Sequence, residues 1–205
     1  MLGLPQKTEI HKMIHKKRVY EVLQDKMSPE RKKSFDSDIS RMTLVNELSE
    51  VSLNLAGGEK ISSIFVILIN LRKKDYDPKN FSFLSHLFGQ NVLMVLEFGG
   101  KYRLAIYETR LLCGDWEEEE SLKVSLSGLD LDKVWENLVL QVSGVRPKEG
   151  QGLDESLKED ERKKNLEKKI AQLDKKARAE KQPRRKYEYF KEMEELKKEL
   201  EGLNG

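Results

Sequence analysis

Seven cations, Lys175, Lys176, Arg178, Lys181, Arg184, Arg185 and Lys186, fall within twelve consecutive residues. Clustered lysine and arginine bind polyanions by releasing condensed counterions, and each guanidinium fork adds paired hydrogen bonds to phosphate oxygens. Tyr187, Tyr189 and Phe190 follow directly, so stacking on exposed bases is within the same segment's reach. Charge-rich helices ordinarily mix their signs, whereas this region separates them. Residues 162–186 hold twelve basic against three acidic side chains, a local charge of +9, while residues 154–161 hold five acids against one lysine and residues 187–201 hold six against three. Residues 1–153 balance at 22 against 22, so the net charge of +2 for the whole chain conceals one strongly basic patch.

Other reactive side chains form weaker patterns. His11 and His15 have the spacing of paired metal ligands on one helical face, with Glu9 as a further donor, but Lys12, Lys16, Lys17 and Arg18 make them read as part of a basic surface. A metal-dependent nuclease, the alternative function, needs carboxylates and a lysine around a divalent cation. Glu97 and Lys101, with Asp75, Asp77, Glu108 and Asp115, are its candidates, yet Gly99 and Gly100 place Glu97 and Lys101 on different strands. Cys113 and His86 pair formally as nucleophile and base, but Cys113 lies in an apolar stretch and reads as a small core residue. Gly57 and Gly58 before Glu59 and Lys60 lack the glycine, lysine and hydroxyl order of a phosphate loop. No cofactor, metal or catalytic residue is expected, and no motif names a reaction.

The basic patch needs a rigid carrier. Leu166, Ile170, Leu173 and Ala177 recur at coiled-coil spacing, as do Tyr189, Met193, Leu196, Leu200 and Leu203. Mirrored about Pro183, Ala177 faces Tyr189, Leu173 faces Met193, Ile170 faces Leu196 and Leu166 faces Leu200, which predicts an antiparallel helical hairpin with the cations at its tip. The same arms could also pair between two chains as a swapped dimer.

The body reads as α+β, a mostly antiparallel sheet flanked by helices. Residues 17–35 predict two helical pieces broken at Met27, the second started by Ser28 and Pro29. Strand regions at 39–55 and 61–71 are joined through Gly57 and Gly58, and the second, apolar from Ile64 to Ile69, suits a central strand. A helix within Asp75 to Phe88, started by Asp77 and Pro78 and stopped by Gly89, can cross over one sheet face; 91–98 and 101–112 form a hairpin about Gly99 and Gly100. LKVSL at 122–126 is a short candidate strand, and Asp130 caps a helix with an apolar face of Leu131, Val134, Trp135, Leu138, Val139 and Val142.

At 205 residues the chain supports one globular domain, 1–150, and a charged helical hairpin, 151–205. A single cysteine excludes an intrachain disulfide, and the first residues carry no apolar run long enough for a signal peptide or membrane span. A cytoplasmic location away from membranes is the expectation.

Three stretches carry a family resemblance: LPQKTEIHKMIHKKRVYE near the start, LSEVSLNLAGGEKISSIFVILINLRKKDYD in the centre, and ARAEKQPRRKYEYFKEMEELKKEL in the hairpin. Together they resemble an uncharacterised bacterial family, a domain of unknown function, over most of the chain. Pro183 and the basic run stand where that family's pattern has a less basic, phenylalanine-containing turn. The resemblance implies a gene placed, as members of that family tend to be, beside helicase or type III restriction and modification genes. The resemblance therefore implies a non-catalytic accessory or adapter subunit of a DNA-processing or phage-defence complex, whose partners are a helicase or restriction-type subunit and DNA or RNA.

Overall fold

A continuous apolar run with no helical period, Ile64 to Ile69, forms the centre of the third of six strands in a computed structural model that describes residues 2–23, 27–88, 91–148 and 150–204. The chain divides into two compact units, Met1–Gly144 and Val145–Gly205. The first is an α+β unit. After a single 3-10 turn at Gln6–Thr8 come β1 (Glu9–Met13), α1 (Lys16–Val22), α2 (Pro29–Asp38), β2 (Ile39–Ser49) and a short α3 (Glu50–Leu53). Then follow β3 (Ser63–Leu71), α4 (Lys79–Leu87), β4 (Val92–Phe98), β5 (Lys101–Tyr107), β6 (Leu111–Cys113) and α5 (Leu131–Ser143).

The six strands lie side by side in sequence order, and every neighbouring pair is antiparallel except β3 with β4. That parallel pair requires a crossover, which α4 supplies. Because β3 is covered on both faces it can be apolar throughout: Ile64, Val66, Ile67 and Ile69 are fully buried. On one face Val19 and Leu23 at α1, Phe35 of α2, and Phe81 and Leu84 of α4 pack with Ile67, Ile69, Met94 and Leu96. On the other, α5 lies against β3, β5 and β6 and buries all six of its predicted apolar positions. Each such large side chain contributes about 1.5–3 kcal/mol through burial.

The local stops and starts follow side-chain chemistry. Ser28 Oγ accepts from the Arg31 amide at 3.3 Å with Pro29 at the first helical position, and Asp130 accepts from the Lys133 amide at 2.8 Å to start α5. Gly99 and Gly100 both sit at positive φ, +61° and +80°, the backbone of the tight turn whose twist matches its strands, and Phe98 accordingly pairs with Lys101.

Four expectations are corrected. Residues around His11 form β1, an edge strand on β2, and not a helix. A bulge between Glu9 and Lys12 puts His11 at φ +55°, and His15 merely precedes α1, so the two histidines share no helical face. β2 stops at Ser49, not Leu55, because Ser49 and Ser52 exchange hydrogen bonds in a capping box that starts α3. The strand read through Leu112 ends at Tyr107, and the chain turns back so that Leu111–Cys113 pairs antiparallel with β5. LKVSL is not a strand: it contributes only an isolated bridge from Lys123 to Leu2, with Leu122 and Val124 buried. The helix stop expected at Gly89 lies outside the described residues; α4 ends at Leu87.

The β2–β3 connection does bind an anion, but an internal one. The amides of Glu59, Lys60 and Ile61 donate to the Asp132 carboxylate of α5 at 2.9–3.3 Å. Gly58 permits this closeness, since a Cβ there would lie 2.1 Å from Asp132 Oδ1. Gly58→Ala is expected to displace the carboxylate and cost about 1–3 kcal/mol, the penalty of unpairing these groups. Urea unfolding checks this, with Asp132→Ala expected to be destabilised by a similar amount and the double variant by little more than either.

The second unit contains α6 (Leu153–Ala179) and α7 (Pro183–Asn204), which pack along each other. No described helix is long and apolar enough to cross a membrane.

Candidate nucleic-acid interface

The seam of the hairpin is made by small and aliphatic residues at the predicted positions. Ala177, Leu166, Leu173 and Met193 are buried, and Ile170, Tyr189, Leu196 and Leu200 are half-buried. Pro183 occupies the first position of α7, where its missing amide proton costs nothing, and the turn is only residues 180–182. Within that turn the Gln182 amide donates to Glu180 Oε1 at 2.9 Å. At the open end, Arg162 Nε and Nη2 donate across the arms to Glu199 Oε1 at 3.1 and 2.6 Å. Glu159 receives Gln151 Nε2 at 2.9 Å, Lys163 Nζ at 3.1 Å and Lys148 Nζ at 3.3 Å; hydrogen bonds from Gln151 and Lys163 are the main cause that lowers its pKa to about 2. Part of the acid of the flanks is thus spent in ion pairs that hold the base.

The tip is different. Lys175, Lys176, Arg178, Lys181, Arg184, Arg185 and Lys186 are all exposed. Arg178 pairs with Asp174 at 2.9 Å and Arg184 with Glu188 at 3.5 Å, both one turn away on the same helix and both solvent-facing. The other five make no ion pair among the described residues. Lys176 and Arg178 end α6, where cations suit the negative end of the helix dipole. Arg184 and Arg185 open α7, whose first turn holds no acid, so cations crowd its positive end. An external anion relieves that repulsion. The three aromatics divide: Tyr189 turns into the seam, while Tyr187 and Phe190 remain exposed.

The remaining sequence candidates are occupied elsewhere. Glu97 accepts from Asn70 Nδ2 at 2.7 Å and from the Gly100 amide at 3.1 Å, while Lys101 pairs with Glu118. Asp77 pairs with Arg31, and Glu108 accepts from Trp135 Nε1 at 3.1 Å. Asp75 lies in the β3–α4 connection and Asp115 follows β6 beside a cavity of about 400 Å³. Among the described residues no group of three or more His, Cys, Asp or Glu is arranged to hold a metal ion. Burial pushes the Cys113 thiol up, against the pull of Arg103 and Tyr76, whose hydroxyl is 3.9 Å from Sγ. His86 Nδ1 lies 2.6 Å from the Ser82 carbonyl of its own helix.

One feature of the body has no sequence signature. A cavity of about 430 Å³ opens on the sheet face beside β1, β2 and β3, lined by Arg41, His11, Thr43, Asn70, Glu9 and Glu119 among others. It exists because β1 pairs with β2, and an all-exposed five-residue strand offers no alternation to read.

Compared with known proteins, residues 2–200 match the family described as a domain of unknown function, DUF4391. No curated protein and no solved structure matches the chain.

Proposed function

We propose that this chain, which belongs to the DUF4391 family, is a non-catalytic accessory or adapter subunit of a bacterial, cytoplasmic DNA-processing or phage-defence complex. In this reading a helicase or restriction-type subunit is its protein partner, and the hairpin tip contacts nucleic acid. The observation that carries it is the set of exposed cations at the tip, five of them with no ion pair among the described residues, on a short-turned hairpin. Internal ion pairing is the ordinary fate of charge on a helical hairpin, and the base of this one follows it through Arg162, Glu199, Glu159 and Lys163. At the tip only Arg178 and Arg184 are paired, each within its own helix, and the other five cations make no ion pair among the described residues, which favours an external polyanion. The naming of a DNA-handling assembly rests on the gene neighbourhood that the family resemblance implies.

Equilibrium binding of the full chain to labelled DNA and RNA oligonucleotides tests the reading. Reversing Arg184, Arg185 and Lys186 to Glu is expected to weaken binding by roughly a hundredfold or more at low salt, with circular dichroism unchanged, because each reversal removes a phosphate contact and adds a repulsion. Equal retention by both proteins would leave a structural adapter that never meets nucleic acid.

A further inference from the structure

We infer that the outer face of α7 at the tip is a stacking platform for unpaired nucleotides, so that the tip prefers single-stranded to duplex nucleic acid; this rests on the reading of the tip as a nucleic-acid contact. Tyr187 is 70 % exposed and Phe190 38 % exposed, two of the exposed large apolar side chains among the described residues. They are three residues apart on one helix, hence neighbours on its surface and about 4.5 Å apart along its axis. The fold does not require them: the seam is completed by Tyr189, Met193, Leu196 and Leu200, and Tyr187 is turned away from it.

Their surroundings select the ligand. Arg184 lies three residues before Tyr187, Lys191 four after it, and Lys186 four before Phe190; all three are exposed and share the strip with the rings. Rings offer π-faces, and cations beside them offer phosphate contacts, the combination that holds single strands without reading their sequence. In a duplex the base faces are already stacked and only edges and phosphates are presented, so the cations would be used and the rings would not. An acidic protein surface could satisfy the cations, but a local charge of +9 with two adjacent exposed rings fits a polyanion that carries its own flat apolar groups. The Arg184–Glu188 pair is no obstacle, since its side chains are 93 % and 61 % exposed and such pairs are readily exchanged.

Fluorescence anisotropy with the full chain, a labelled mixed-sequence 20-nucleotide strand and the matching duplex tests this. The wild type is expected to bind the strand more tightly than the duplex. Tyr187→Ala with Phe190→Ala is expected to weaken strand binding roughly tenfold or more while changing duplex binding less than twofold, and Tyr187→Trp to keep the wild-type affinity for the strand. Equal wild-type affinities, or equal losses for strand and duplex in the alanine variant, would overturn the stacking platform while leaving the basic tip intact. No binding of either probe would overturn both. Tight binding of an acidic protein partner that depends on Tyr187, together with strand binding that does not, would assign the rings to protein docking and also overturn it.

Discussion

Asp38→Ala is expected to destabilise the first unit by roughly 3–5 kcal/mol, the usual consequence of deleting one partner from a buried charged network. Asp38 is the last residue of α2 and is 1 % exposed. Its carboxylate receives the Lys73 ammonium, the Asp77 amide and Asn80 Nδ2, each at 2.8 Å, and Ser37 Oγ at 3.1 Å. One acid thus ties the end of α2 to the crossover that makes β3 and β4 parallel. Lys73 can turn to water, but the Asp77 amide loses its acceptor, the fully buried Asn80 is left with Ser34 Oγ as the only acceptor for its Nδ2 among the described residues, and Asn80 Oδ1 already lacks a partner. Asp38→Asn, which keeps an acceptor oxygen, is expected to cost less.

The same network sets a pH dependence. Burial alone would raise the Asp38 pKa, but hydrogen bonds from Lys73, Asp77, Ser37 and Asn80 outweigh it and hold it below the ordinary carboxylate value. A group depressed in the folded state contributes its stability in full above its unfolded pKa, about 3.9, and loses it as pH falls through the folded value. Urea unfolding at pH 7 and at successively lower pH should show the gap between wild type and Asp38→Ala narrowing below about pH 4. A gap that widened on acidification would refute this assignment.

Leu173→Asp is expected to open the hairpin. Leu173 is 7 % exposed in the middle of the seam, where α6 packs along α7, so the substitution removes apolar burial and places a carboxylate among apolar groups. A cost of roughly 3–5 kcal/mol falls on a unit held mainly by one seam. The arms have little to fall back on, since highly charged helices of this length are marginal once their apolar stripe has no partner. Circular dichroism should show loss of helical signal at lower temperature than in the wild type, and trypsin should cut sooner within residues 162–186. Unchanged cleavage there would contradict the seam. Leu173→Met, which conserves volume, should behave nearly as wild type.

What was legible in the sequence is what a local rule dictates. The mirrored four-three spacing gave α6 and α7, paired glycines gave the β4–β5 turn, and Asp130 with a six-residue apolar face gave α5. The continuous apolar run from Ile64 to Ile69 marked a strand buried on both faces. Features set by partners distant in sequence were hidden. β1 is exposed at all five positions and has no alternation of its own, so only its pairing with β2 makes it a strand. The turn between β5 and β6 interrupts a segment whose pattern reads as one strand, and Leu122 and Val124 are buried without joining a ladder. Asp132 looked like any acid in a helix's first turn, and only the fold carries the Gly58 loop to it. Of the tip, the cations were legible as a cluster; which of them are ion-paired, and the separation of Tyr187 and Phe190 from Tyr189, follow only from the fold.

The salt dependence of binding tests the central claim, that the hairpin tip contacts a polyanion through its exposed cations, most directly. A plot of the logarithm of the binding constant against the logarithm of salt concentration falls with a slope of about −0.7 per contacted phosphate for single strands and about −0.9 for duplex. If several tip cations engage phosphates, the wild type on the 20-nucleotide strand should give a slope steeper than about −2, and Arg184→Glu, Arg185→Glu, Lys186→Glu a slope shallower by about 2. A wild-type slope that the triple reversal leaves unchanged would contradict the account, because the phosphate contacts would then lie somewhere other than the tip.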